Sequence, residues 1–177
     1  MQSSKDTHPL TLELLSIDDA EQLLAFETEN KDWFDQFIPP RESDFYSLQG
    51  VTEHIQEFLL DYQCKQLVPF LIKNAQKQIV GRMNFTSINA KKGTAHVGYR
   101  VGKAFTSQGV AKRALALAKS ELQEQGMKRL FAYAEQSNIA SQRVLTASGF
   151  RSIRVVDDFA ELHGRSISCI EFSCQLS

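Results

Sequence analysis

The sequence predicts an α+β fold: a single domain spanning residues 1–177, built on a mixed, mostly antiparallel sheet of seven strands with about four helices. Three observations carry that reading. Three consecutive strand-like runs between residues 67 and 101 are separated only by short polar turns, which makes an antiparallel meander. Helical periods stand before the meander and between later strands, so the pairing must be mixed. And a chain of 177 residues, 42% hydrophobic, can close one good core.

Taken in order, Leu10, Leu12 and Leu14 alternate with Thr11 and Glu13, as a half-buried strand does. Ser16, three residues before Asp19, forms a capping-box variant ahead of the helical run 17–30. The stretch 31-KDWFDQFIPPRESDFYS-47 is aromatic, acidic and aperiodic, and reads as a long ordered loop with a short helix. Val51, Ile55, Phe58, Leu59 and Tyr62 fall at helical spacing. The meander then takes 67–74, 78–88 and 94–101. A polar run around Gly109 opens a long amphipathic helix, 128–134 is a strand, and 138–148 is a helix capped by Asn138 and closed by Gly149. Strands at 150–156 and 167–176 flank a loop at 157–165.

A formal charge of −1 and a pI near 6.4 supply no global field for nucleic acid or an anionic membrane, so neither is an expected partner and any anion site must be local. No apolar run approaches the roughly 20 residues that span a bilayer. The polar N-terminus MQSSKDTHPL lacks the apolar segment of a signal peptide, which leads to the expectation of a cytoplasmic protein. Cys64, Cys169 and Cys174 have no metal-ligand spacing, and His8, His54, His96 and His163 do not cluster with acids or cysteines. No metal is expected.

The turn 106-TSQGVAK-112 is the first candidate for chemistry. A chain that leaves a strand at Val101 and enters a helix near Gly109 points several unpaired N–H groups along the positive end of a helix dipole, which is an anion site by construction. Lys112 either adds charge there or points into solvent. Taken alone, the turn could equally be only a helix start. It is neither a Walker loop nor a dinucleotide fingerprint, because no GKS or GKT follows and GxGxxG is absent.

The order of pieces around the turn is more specific. Gly98, Tyr99, Arg100 and Val101, then Gly109, Val110 and Ala111, then Asn138, Ser141, Gly149 and Phe150 resemble the GNAT N-acetyltransferases. Within them the likeness is to the branch of the ribosomal-protein alpha-amino acetyltransferases, the Rim enzymes. The stretch 29-ENKDWFDQFIPPR-41 is similar to that branch as well. Thr106 and Arg113 depart from its pattern.

The resemblance implies a GNAT fold whose sheet splays between strands 4 and 5, with acetyl-CoA as cosubstrate. The backbone around Arg100 and Val101 would hydrogen-bond the pantetheine arm. The N–H groups of Ser107, Gln108, Gly109, Val110, Ala111 and Lys112 would hold the pyrophosphate. Asn138 and Ser141 would sit near the arm and thiol. Asn138 also suits a plain N-cap, and Ser141 is read either as the hydroxyl that protonates the leaving thiolate or as a solvated serine.

By the same resemblance, His96 stands where relatives often carry a glutamate. An imidazole, which ordinarily titrates at about 6.5, suits a general base at neutral pH, whereas the alternative is a histidine held by structural hydrogen bonds. Alternation puts His96, Gly98 and Arg100 on one strand face and Ala95, Val97 and Tyr99 on the other. Gly98 is expected to mark a bulge or close approach.

The expected activity is direct acetyl transfer to an amine: the alpha-amine of a protein such as a ribosomal protein, or a small amine or antibiotic. Trp33, Phe34 and Phe37, with Glu27, Glu29, Asp32 and Asp35 nearby, would suit a cationic acceptor, or form a solvated acidic loop. A non-catalytic acetyl-CoA-binding module and a nucleotide-binding domain are the competing readings. The chain is expected to act as a monomer or homodimer.

Overall fold

The computed structural model describes residues 9–176; the N-terminal MQSSKDTH, including His8, lies outside the described residues. The strands are β1 (Thr11–Leu14), β2 (Val68–Lys73), β3 (Ile79–Asn89), β4 (Thr94–Val101), β5 (Arg129–Glu135), β6 (Arg151–Leu162) and β7 (Arg165–Gln175). They form one sheet in the order β1-β2-β3-β4-β5-β7-β6, antiparallel everywhere except between β4 and β5. The helices are α1 (Ala20–Glu29), the single turn α2 (Lys31–Phe34), α3 (Leu48–Gln63), α4 (Val110–Glu124) and α5 (Ile139–Ala147).

Local chemistry sets the boundaries. Ser16 and Asp19 form the reciprocal capping box, the Asp19 carboxylate accepting the Ser16 N–H at 2.8 Å, and a short 3₁₀ turn feeds α1. Ser47 Oγ accepts the Gly50 N–H at 3.0 Å and starts α3 three residues before its first buried side chain, Val51. Asn138 caps α5 by accepting the Ser141 N–H at 3.1 Å.

Two apolar layers sandwich the central strands. Phe70, Met83, Phe85, Val97 and Leu130 turn to one face, where Ala114, Leu115 and Leu122 of α4 and Leu145 of α5 cover them. Leu71 and Ile79 turn to the other, beneath Leu23 and Phe26 of α1 and Ile55 of α3. β2 is thus buried on both sides, and its near-continuous apolar sequence reflects that.

The closing hairpin corrects the loop expected at 157–165. β6 continues to Leu162, and only His163 and Gly164, both at positive φ (51° and 75°), make the turn, as a two-residue hairpin connection requires. Asp157 and Asp158 read as loop residues because acids are poor strand formers. They are tolerated because the register shifts between Val156 and Ala160, and because both carboxylates accept serine hydroxyls of β7 (Ser168 at 3.2 Å, Ser166 at 2.6 Å). The bulge expected at Gly98 is absent: Gly98 pairs regularly with Asn84, and nothing lies within 4 Å of where its Cβ would stand. The irregularity in that pair of strands falls between Thr86 and Asn89 instead.

Candidate active site

β4 and β5 pair only from Thr94 with Arg129 to Val97 with Ala132. Both strands continue, to Val101 and Glu135, so the sheet opens from Gly98 onward. The open edge can be assigned by alternation. Gly102 gives its N–H to Val80 of β3 at 2.9 Å, so residue 100 also turns its backbone groups toward β3, while Tyr99 and Val101 turn theirs into the gap. The Arg100 backbone is therefore committed to the sheet and its side chain faces the cleft. The carbonyl of Val101 is already taken by the Trp33 indole N–H at 3.3 Å.

Below the gap the chain turns through Ser107 (φ 60°) and Gly109 (φ 75°) into α4. Gly109 is the N-cap residue and has no side chain to cap with, so the first N–H groups of a 15-residue helix are left without an N-cap partner at its positive end. The Gln108 side chain bends back to the Ala104 carbonyl at 3.1 Å, leaving only its backbone for the turn.

A cleft of about 540 Å³ joins these features. Its walls include Tyr99, Arg100 and Val101 of β4, the turn from Thr106 to Lys112, Asn138, Ser141 and Arg143 at α5, and Trp33, Phe34 and Phe37. Among the described residues, the lining contains the cations Arg100, Lys112 and Arg143 but no carboxylate and no histidine. The geometry thus fits a long, anionic ligand with amide groups: a strand-like gap for the amides, and an uncapped helix end with Lys112 and Arg143 for phosphates.

Tyr99 was noticed in the sequence only as part of a motif, yet its hydroxyl lies 3.4 Å from Ser141 Oγ inside this cleft. Burial pushes the Tyr99 phenol above its ordinary pKa, although the Ser141 hydrogen bond opposes this, so the phenol keeps its proton at neutral pH. Arg143 was also missed; it stands two residues past Ser141 in a helix whose cap had drawn attention to Asn138 alone.

His96 occupies a different place from the one expected. It is absent from the cleft lining, and its ring stacks on Phe131 and Tyr133 of β5, at centroid distances of 5.3 and 5.5 Å. It shares a strand face with Arg100, as alternation predicts. Opposite residue 96, however, the strands are still paired, His96 with Phe131, so no gap exists there.

The acidic loop residues do not gather as a cation site. Glu27 is buried at 1% exposure and bonds Arg82 at 2.8 Å. Asp35 pairs with Lys31 at 2.8 Å. Phe34 is buried against Phe26, whereas Trp33 and Phe37 meet edge to face at 4.9 Å on the cleft wall. Among the described residues, no group of three or more His, Cys, Asp or Glu side chains could hold a metal, and no helix is long and apolar enough to cross a membrane.

Residues 9–151 match the acetyltransferase (GNAT) domain family. The chain belongs to that family. This acetyltransferase is 28% identical over 153 residues to the probable N-acetyltransferase YjcK of Bacillus subtilis, covering 85% of this chain and 84% of that one. Its fold is similar to that of a ribosomal-protein-S5-alanine acetyltransferase from Vibrio fischeri (TM-score 0.88, 18% identity, 99% and 98% of the two chains covered). It is also similar to RimJ of Mycobacterium smegmatis in complex with CoA-disulfide (TM-score 0.87, 18% identity, 94% and 81% covered). The seven-stranded mixed sheet with its parallel β4–β5 pair is the GNAT architecture, and acetyl transfer to an amine is the activity of this N-acetyltransferase.

Proposed function

We propose that the chain transfers acetyl from acetyl-CoA directly to an alpha-amine, the N-terminus of a protein or peptide being the favoured acceptor. The parting of β4 and β5 above the uncapped N-terminus of α4 carries the cofactor part of this reading. Val101 N–H and the Tyr99 backbone would hold the pantetheine amides, and the N–H groups of the turn from Ser107 to Lys112 the pyrophosphate, with Lys112 and Arg143 adding charge. Neighbours of this fold that bind CoA, RimJ among them, support the choice of cosubstrate.

In the transfer the amine nitrogen attacks the thioester carbonyl carbon. A C–N bond forms, the C–S bond breaks with its electrons going to sulfur, one proton leaves nitrogen and one arrives on sulfur. Tyr99, protonated and hydrogen-bonded to Ser141, is the donor placed for the thiolate. No described lining residue is a carboxylate or imidazole that could take the nitrogen's proton. The acceptor must then arrive largely neutral. An alpha-amine of pKa about 7.8 is roughly one-third neutral at pH 7.5, whereas a lysine side chain near 10.4 is about 0.1% neutral. That difference favours the alpha-amine reading over a lysine-like or polyamine acceptor.

The test is CoA release from acetyl-CoA with peptides carrying a free alpha-amine, the same peptides blocked at the N-terminus but carrying lysine, and small polyamines, across pH 6–10. Turnover confined to free alpha-amines, rising with pH through the acceptor's own pKa, is expected. Equal turnover of blocked lysine peptides would refute the acceptor, and cofactor binding without turnover of any amine would leave a binding module.

A further inference from the structure

Behind the cleft wall, three arginines from distant parts of the chain converge on one carboxylate. Glu27 Oε1 accepts Arg82 Nη1 at 2.8 Å and Arg41 Nη2 at 3.4 Å, while Arg100 Nη1 lies 3.7 Å from its Oε2. Arg82 and Glu27 are fully buried, at 2% and 1% exposure. Among the described residues one other titratable group is bonded there: His54 sits with Nε2 2.9 Å from Arg82 Nη2, so it accepts and is neutral. Farther out, Lys31 and Asp35, both next to Tyr46, pair with each other at 2.8 Å and cancel. Three guanidiniums thus share one anion, and two positive charges remain uncompensated within this cluster.

Buried charge in excess of its partners is costly unless something neutralises it. Arg82 is sealed, but Arg100 and Arg41 keep 24% and 21% of their side-chain surface. Arg100 lines the cleft, its guanidinium 5.3 Å from the ring centre of the cleft residue Phe34, while its buried Nη1 is turned to Glu27 and makes no hydrogen bond there. Burial first, and Arg41 and Arg82 after the opposing Glu27, lower its pKa to about 10, so it stays charged at neutral pH. No described residue of the cleft lining supplies a carboxylate to it.

Resting on the acetyl-transfer reading, we infer that Arg100, with Arg41 behind it, is the anion-binding subsite for the acceptor: the acetylated amine carries a carboxylate or phosphate close to its reacting nitrogen. Tyr99 and Arg100 are adjacent on β4 and line the same cleft from opposite strand faces, where β4 and β5 have parted; an acceptor lying through that opening with its amine at the Tyr99 end meets the guanidinium with its next group. A planar guanidinium binds either oxyanion in the same bidentate fashion, so the shared chemistry is the oxyanion and the experiment separates its two forms.

Four tripeptide amides with one alpha-amine test this: Ala-Asp-Ala against Ala-Asn-Ala, and Ala-phosphoserine-Ala against Ala-Ser-Ala. The wild-type protein should show kcat/KM at least tenfold higher for one or both anionic members. The anionic-to-neutral ratio should fall toward one in Arg100→Gln and in Arg41→Gln, and recover in part in Arg100→Lys. Circular dichroism establishes that each variant is folded, and the two positions keep the test open if one of them is not. A ratio near one in the wild type, or a ratio unchanged by either glutamine substitution, overturns the inference and leaves the cluster a structural ion network. If no peptide releases CoA, acetyl transfer to alpha-amines fails. The same ratios, measured calorimetrically as affinities for the CoA-saturated protein, then decide the anion subsite on their own.

Discussion

The hydroxyls of Tyr99 and Ser141, 42 residues apart in sequence, meet at 3.4 Å where β4 leaves β5 and α5 begins. β4 positions Tyr99 and the Asn138 cap positions Ser141, so the pair depends on two local structures that form independently.

Tyr99→Phe removes the protonated phenol while keeping the ring. Turnover should drop by roughly 10²-fold, at the lower end for a lost general acid because a thiolate leaves easily, with acetyl-CoA affinity within about twofold of wild type. Stopped-flow acetyl transfer alongside calorimetric cofactor titration checks it. Ser141→Ala should cost less than Tyr99→Phe, since the phenol remains.

Gly109 stands at φ 75° with only the Arg113 Nε atom, 3.9 Å away, near a built Cβ. Space is open but the backbone is not one that side chains favour, so Gly109→Val should strain the turn by about 1–2 kcal/mol. Cofactor affinity is expected to weaken about tenfold or more while far-ultraviolet dichroism stays native. An unchanged dissociation constant would show that the turn does not hold the pyrophosphate.

His96→Gln removes the stack on Phe131 and Tyr133. The loss should appear mainly as stability, about 0.5–1.5 kcal/mol in a urea titration, with turnover reduced far less than in Tyr99→Phe. A loss of turnover matching that of Tyr99→Phe, together with a flattened pH profile, would instead establish the general-base role for His96.

The His54 pKa is lowered to about 3, by burial first and then by Arg82, Arg41 and Arg100. The folded protein therefore holds His54 neutral where the unfolded chain, near 6.5, binds a proton. Stability is complete above about pH 6.5 and is lost as pH falls toward 3, with a slope of at most about 1.4 kcal/mol per pH unit, less whatever solvent screening a half-buried ring retains. Urea midpoints at pH 7.5 and 5.5 should differ in the wild type and converge in His54→Phe.

Glu27→Gln leaves three guanidiniums around a neutral amide. Removing one partner of a buried ion cluster costs roughly 3–5 kcal/mol, so thermal unfolding should move down by many degrees. A variant as stable as the wild type would mean that the excess charge is relieved by something other than Glu27.

Much of this was legible because the signals were local. The meander followed from apolar runs and polar turns, the capping box at Ser16 from a three-residue spacing, and the α4 turn from one glycine before a helical period. Whatever depended on the neighbouring strand was not. Alternation assigns His96 to a face, but whether that face meets a gap or Phe131 depends on where β4 and β5 stop pairing, which no residue of β4 encodes. Likewise Glu27, Arg41, Arg82 and Arg100 lie on α1, the following loop, β3 and β4. Read singly, Glu27 belonged to an acidic stretch, and folding places it under arginines contributed by segments far along the chain.

Trp33 is the single tryptophan of the sequence, and its indole N–H is bound to the Val101 carbonyl at the lip of the cleft. The tryptophan emission of the whole protein, excited selectively over its four tyrosines, is therefore the signal of one indole at the place where ligand and strand meet. A shift in its emission on adding CoA or an acceptor peptide reports occupancy without any label.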